Sequence, residues 1–114
     1  VLTHAMHYAS AVFEGQRAYS GRIFALSDHS ERLIRSAAIL GFTIPWSREQ
    51  IDQACRDTLA ASGLSDAYMR PIAWRGSEQM GVAAPNSEIH LAVSCWEWGA
   101  YFGAEALAKG LRLE

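Results

Sequence analysis

The amino-acid sequence predicts an α+β domain, a mostly antiparallel sheet with two helices packed on it. Three observations predict it. Two stretches carry helical periodicity behind capping boxes, others alternate or run apolar as strands do, and Ser-Gly pairs punctuate the pattern. A chain of 114 residues suits one domain with one core.

Residues 4–10 mix small and aromatic side chains and read as a turn or short helix. Residues 12–19 alternate, which sets Phe13, Gly15, Arg17 and Tyr19 on one face and Val12, Glu14, Gln16 and Ala18 on the other. Ser20-Gly21 is a two-residue hairpin turn, because glycine accepts positive φ. Residues 22–26 then return antiparallel. Asp28 is read as the N-cap of the first helix, with Glu31 three residues on closing a capping box. Leu33, Ile34, Ala37, Ala38 and Leu40 form its apolar stripe, and Gly41 ends it.

Pro45 keeps residues 42–46 non-helical. Ser47 and Gln50 form a second capping box, ahead of Ile51, Ala54, Cys55 and Leu59 at helical spacing, and Ser62-Gly63 stops that helix. Residues 67–75 are the next strand, with Tyr68, Arg70, Ile72 and Trp74 on one face. Pro71 cannot donate to a ladder, so this strand is expected at an edge or bulged. Residues 76–87 read as a loop. Residues 88–98 are apolar on both faces, which suits a central strand. Glu105, Ala106 and Leu107 suggest a short helical turn. The chain opens on Val1 and stops in the alternating run Leu111 to Glu114, so it reads as a piece of a longer polypeptide.

Composition removes several classes of function. A formal charge of -2 gives no polybasic signature, so nucleic acid is not an expected partner. No apolar run approaches the roughly 20 residues that span a bilayer, and no signal-peptide pattern opens the chain. Cys55 and Cys95 read as free thiols of a cytoplasmic protein, with a disulfide between them the alternative. His4 and His7 lie three apart, but His29 and His90 fall in other elements and no cysteine or acidic cluster joins them, so no metal site is expected. Ser10 and Ser94 lack the context of a serine nucleophile.

The arginines carry the chemistry. Arg32 lies about one turn into its helix, near free backbone N–H groups and the positive end of the dipole, a position suited to a phosphate. The plainer alternative is a surface arginine paired with Asp28 or Glu31. Arg17 and Arg70 lie in strands beside Tyr19 and Tyr68, where guanidinium groups can fix a carboxylate with tyrosine hydroxyls completing the site. The alternative is structural pairing with Glu14 or Glu78. Lys109 is the one lysine, in a segment that reads as exposed.

Four co-linear motifs are H-Y-A-S-A-V-F-E-G-Q-R-A-Y, D-H-S-E-R-L-I-R-S-A-A-I-L, A-Y-M-R-P-I-A-W-R-G and W-E-W-G-A-Y-F-G-A-E-A-L. Together they resemble the branched-chain amino acid aminotransferases, pyridoxal-phosphate enzymes of fold type IV, from His4 to about Lys109. The resemblance implies that residues 1–110 are most of the small N-terminal domain, incomplete at its start. Residues 111–114 begin the connection to a C-terminal cofactor domain.

It further implies that Arg32 holds the cofactor phosphate. Phe13, Gly15, Arg17, Tyr68, Arg70, Trp98 and Tyr101 match substrate-pocket positions. Tyr8 and Val82 match residues that reach a neighbouring subunit's site in family dimers, so a homodimer or higher homo-oligomer is expected. The implied reaction is a ping-pong transamination from leucine, isoleucine or valine to 2-oxoglutarate, with the Schiff-base lysine beyond Glu114. The chain alone is therefore expected to be inactive. Alternatives on the same fold are D-amino acid aminotransferase, aminodeoxychorismate lyase and (R)-selective amine transaminase. From another class, the alternative is a non-catalytic phosphate-binding or interaction module.

Overall fold

A computed structural model describes residues 1–99 and 108–110. The elements, in chain order, are α1 (His4–Tyr8), β1 (Ala11–Phe13), β2 (Gln16–Tyr19), β3 (Arg22–Ile23), α2 (Leu26–Ile39), α3 (Arg48–Ser62), β4 (Ala67–Arg75) and β5 (Ile89–Trp96). Every strand pairing among the described residues is antiparallel. The helical turn expected around Glu105 to Leu107, the Leu111–Glu114 run and Tyr101 lie outside the described residues.

The expected strand over residues 12–19 is two strands laid end to end along one edge of β4. Phe13 faces Ile72 and Gln16 faces Met69, so one register runs through both. The break falls at Glu14, whose N–H donates to the Pro71 carbonyl at 3.0 Å. Proline has no N–H to return the second bond of that pair, and the ladder lapses there. Pro71 therefore interrupts one ladder without sending its strand to an edge. β4 is central, with β1 and β2 on one side and β5 on the other. Conversely β5, expected to be central, pairs with β4 alone among the described residues. Its apolar content is accounted for by two packed faces: Leu91 and Val93 join the core, while Trp96 joins an aromatic cluster on the other face.

The alternation read from the sequence holds. Val12, Glu14, Gln16 and Ala18 are buried on the helix side, and so are Ala67, Met69 and Ala73 of β4. There they meet Leu26, Leu33 and Ala37 of α2, and Ile51, Cys55 and Leu59 of α3. The hairpin turn has Ser20 at φ 49° and Gly21 at φ 76°, the two positive values of a type I′ turn. Cys55 and Cys95 are both free thiols.

α2 begins at Leu26, two residues before the expected cap, and Asp28 is not its N-cap. Ala25 occupies the cap position in the left-handed region (φ 49°) with no side-chain cap bond. Leu26 is drawn into the core, and Ser27 Oγ donates to Asp52 Oδ2 of α3 at 2.7 Å. Asp28 falls in the first turn instead, where its charge suits the dipole. Glu31 reaches Arg48 at 3.7 Å rather than closing a box.

At the other end Gly41 (φ 78°) donates to Ala38 O and Phe42 to Ala37 O, a Schellman motif. Leu40, the C-cap residue, and Ala38, both expected in the apolar stripe, stay exposed. α3 keeps its capping box: Gln50 N–H donates to Ser47 Oγ at 3.2 Å, and Ser47 N–H to Gln50 Oε1 at 2.9 Å. Gly63 closes it at φ 71°.

Candidate active site

Helices α2 and α3 cover one face of the sheet, and the opposite face carries most of the residues singled out by sequence. Register assembles them in rows. Phe13, Ile72 and Ala92 lie side by side, and so do Arg17, Tyr68 and Trp96. Between these rows sits Arg70, flanked by Ser94 and, across the β1–β2 break, by Gly15. Small residues on both sides leave the Arg70 guanidinium in a trough walled by aromatic rings. Its Cζ lies 4.6 Å from the Phe13 ring centroid, 5.2 Å from Tyr68 and 5.5 Å from Trp96.

Arg70 Nη2 donates to the Tyr68 hydroxyl at 2.9 Å and Nε to the same oxygen at 3.3 Å. The Tyr68 ring is fixed in turn by Trp96 and Trp98, at centroid distances of 4.9 and 4.6 Å. Gly15 is required by this arrangement: a Cβ there would stand 2.6 Å from the Tyr68 hydroxyl oxygen. Arg17 lies over the Tyr19 ring at 5.6 Å and donates through Nη1 to the Trp98 carbonyl at 3.0 Å. Phe13, 56% exposed, presents its ring to the open side.

Among the described residues no carboxylate pairs with Arg17 or Arg70. Pairing with Glu14 is ruled out because Glu14 faces the helices, and Glu78 is joined to His90. Two guanidinium groups on one sheet face, ringed by aromatics and without an acidic partner among the described residues, can bind an acid bearing an apolar chain. Trp96 belongs to this wall and is not singled out by sequence. Its two-residue spacing from Trp98, on the strand opposite Tyr68, is the signal that marks it.

Arg32 is placed differently from the expectation. α2 starts six residues earlier, about 9 Å along the axis at 1.5 Å per residue, so Arg32 is not beside free N–H groups. Nor is its partner Asp28 or Glu31. Arg32 Nε donates to Glu14 Oε1 at 2.8 Å and Nη2 to Glu14 Oε2 at 2.6 Å, a bidentate fork. His29 Nδ1 meets Glu14 Oε2 at 2.7 Å. Burial pushes the Glu14 carboxyl up, but the hydrogen bonds from Arg32 and His29 and their charges outweigh it and hold the group below the usual glutamate range. The Arg32 side chain remains 53% exposed. Two of its five N–H groups are taken by Glu14, which leaves three for an anion.

Tyr8 and Val82 come together away from Arg17 and Arg70. They line a hollow of about 250 Å³ with His4, Leu40 and Arg75. Arg75 and Arg70 are five residues apart on β4, about 17 Å along a strand. Tyr8 is 43% and Val82 82% exposed. Beneath them His4 is buried, its Nε2 donating to Gly81 O at 2.8 Å and its Nδ1 accepting from Ser10 Oγ at 2.7 Å. Both ring nitrogens are thus occupied within the fold. Carboxylates do gather at His90, contrary to expectation: donor atoms of Glu78, Glu88 and His90 lie within 4.8 Å of one another. The Glu78 carboxylate is engaged there, accepting from Glu88 N–H at 3.0 Å and from His90 Nε2 at 3.1 Å. The loop thereby closes on itself.

Residues 11–113 match the family model for class IV amino-transferases. The branched-chain-amino-acid aminotransferase of Pseudomonas aeruginosa is 44% identical over 117 residues, covering 99% of this chain and 38% of that protein. The crystal structure of the Escherichia coli branched-chain amino acid aminotransferase superposes with a TM-score of 0.86 at 37% identity, over 93% of this chain and 36% of that one. A T.th. branched-chain amino acid aminotransferase crystallised with pyridoxamine 5'-phosphate gives 0.84 at 41% identity, over 93% and 36%. The chain spans little more than a third of these relatives' length. Over that third, sequence and fold agree: the chain belongs to the class IV aminotransferase family.

Proposed function

We propose that residues 1–110 serve as the small domain of a pyridoxal-phosphate-dependent branched-chain amino acid aminotransferase. It would pass the amino group of leucine, isoleucine or valine to 2-oxoglutarate. The observation that carries the reading is the open sheet face, where Arg70 and Arg17 lie among Phe13, Tyr68, Trp96 and Trp98 with no acidic partner among the described residues. Such a pocket must accept an aliphatic side chain in one half-reaction and a side-chain carboxylate in the other. The rings serve the first, and Arg70 with the Tyr68 hydroxyl serves the second.

The cofactor's phosphate asks for fixed donors that still have N–H groups to offer, and Arg32 fits: it is held by Glu14 yet half exposed. When bound, the cofactor supplies an electron sink that makes a substrate Cα–H acidic. This chain's residues bind and orient around that chemistry. Arg32 anchors the phosphate, Arg70 and Arg17 take carboxylates, and the aromatic rings exclude water from the aliphatic side chain. Lys109 is exposed, and we assign the imine-forming lysine to residues beyond Glu114. The isolated chain is then a binding wall without its base.

Tyr8, Val82 and Leu40 are exposed apolar groups around one hollow, which supports a homodimer in which this end of the domain reaches a second subunit's pocket. Among the described residues no helix is long and apolar enough to cross a membrane, and the free thiols fit a cytoplasmic setting.

The test is Arg70→Met in the intact polypeptide that carries this chain. Removing a charged donor costs about 1.5–3 kcal/mol, or roughly 10- to 100-fold in kcat/KM for 2-oxoglutarate. The leucine half-reaction should change far less. Equal losses in both would remove Arg70 from the side-chain-carboxylate role, since the carboxylate beside the reacting carbon is common to the two substrates.

A further inference from the structure

We infer that Glu14 is a positioning residue for cofactor binding: its buried carboxylate holds the Arg32 guanidinium in one orientation and so presets the phosphate grip. The inference rests on the reading of Arg32 as the phosphate ligand.

Glu14 sits at the break between β1 and β2, between two residues of the open face, Phe13 and Gly15. Strand alternation sends its side chain the opposite way, toward α2. Its carboxylate is buried, with a side-chain exposure of 7%, whereas its partner Arg32 is 53% exposed. One end of the pair is therefore anchored inside the domain and the other stands at the surface.

The anchoring is complete. Glu14 accepts two bonds from Arg32 and a third from His29, one helical turn before Arg32. A carboxylate only accepts, so His29 Nδ1 carries the proton of that contact. The 3.2 Å approach of Arg32 Nη2 to the same nitrogen is then two donors sharing one oxygen. Fork and ring together fix both the position and the plane of the guanidinium.

A free arginine must surrender its rotamers when it closes on an anion, a loss worth roughly three- to tenfold in affinity. In this fold that ordering precedes binding. Glu14 also carries a negative charge, which opposes phosphate. The two effects differ in sign, and a substitution separates them. If Glu14 acts as a counter-charge alone, removing the charge tightens cofactor binding. If it positions Arg32, removing or withdrawing the carboxylate weakens it.

The experiment measures the dissociation constant of pyridoxal phosphate from the apo form of the intact polypeptide, by quenching of tryptophan fluorescence, beside its melting temperature. Pyridoxal without phosphate is the control. Glu14→Gln should weaken pyridoxal phosphate about tenfold, leave pyridoxal unchanged and add nothing in an Arg32→Gln background. Glu14→Asp keeps the charge but draws the carboxylate back by one carbon–carbon bond, about 1.5 Å. It should weaken binding too, and it serves if the glutamine variant does not fold. Unchanged or tighter binding in Glu14→Asp overturns the inference, as does additivity with Arg32→Gln. If Arg32→Gln itself leaves pyridoxal phosphate binding intact, the phosphate reading of Arg32 fails. If Arg32→Gln weakens it and neither Glu14 variant does, the positioning role alone fails.

Discussion

Gly15→Ala tests how the pocket wall is built. The backbone at Gly15 is not in the left-handed region, so an alanine meets no conformational strain there. What it meets is Tyr68: a Cβ would stand 2.6 Å from the hydroxyl oxygen, 3.2 Å from Cζ and 3.3 Å from Cε2. Ordinary contact needs about 3.5 Å, so the hydroxyl end must retreat by close to 1 Å. The ring is held between Trp96 and Trp98, and it can only give at its tip. We expect that movement to break the contact with Arg70 Nη2, now 2.9 Å away.

Losing a hydrogen bond to a charged group costs about 1.5–3 kcal/mol, and the contact is made where we propose that a substrate carboxylate binds. Expected is a fall of about 10-fold or more in kcat/KM for 2-oxoglutarate in the intact polypeptide, with a melting temperature lowered by only a few degrees. Steady-state kinetics with leucine as donor reads the first, and a thermal melt reads the second. Wild-type kinetics in a folded Gly15→Ala protein would refute the claim that Tyr68 sets the position of Arg70.

Two further outcomes follow from the buried groups. Glu14 has a lowered folded-state pKa, so it binds its proton less readily when folded than when unfolded. Its contribution is thus present above the unfolded value, about 4.3, and is lost as pH falls through the lower folded value. Glu14→Gln should flatten the acid limb of a stability-versus-pH curve below about pH 4.3, and an unchanged limb would contradict the pairing. Burial pushes the Cys55 thiol up to about 11. At pH 8 it should resist alkylation in the folded protein and react only on unfolding, at a rate set by global opening.

Local signals are the ones legible in the sequence. The Ser47–Gln50 box, the Ser20-Gly21 turn and the stops at Gly41 and Gly63 depend on residues three or four apart, and each stands where the pattern places it. Alternation also assigns the two faces of residues 12–19 and 67–75 correctly, since one face has to be buried. Partners distant in sequence are not legible. Glu14 and Arg32 lie 18 residues apart, and no periodicity announces a bidentate fork between a strand break and a second helical turn. The start of α2 is misplaced because Asp28 and Glu31 imitate a box, while tertiary contacts of Leu26 and Ser27 decide the matter. Pro71 suggests an edge strand, yet one missing N–H breaks a single rung and leaves the rest of β4 paired on both sides. The wall is half legible: arginines beside aromatics can be read, but not that no described carboxylate pairs with them.

The measurement that bears most directly on the whole account is a pair of half-reactions on the intact polypeptide loaded with pyridoxal phosphate. Leucine should convert the cofactor from its aldehyde to its amine form, followed by absorbance, and 2-oxoglutarate should convert it back. Arg70→Met should slow the second conversion far more than the first. If leucine leaves the spectrum unchanged, or 2-oxoglutarate reverses it as fast without Arg70 as with it, the open face of this sheet is not an acid-binding wall.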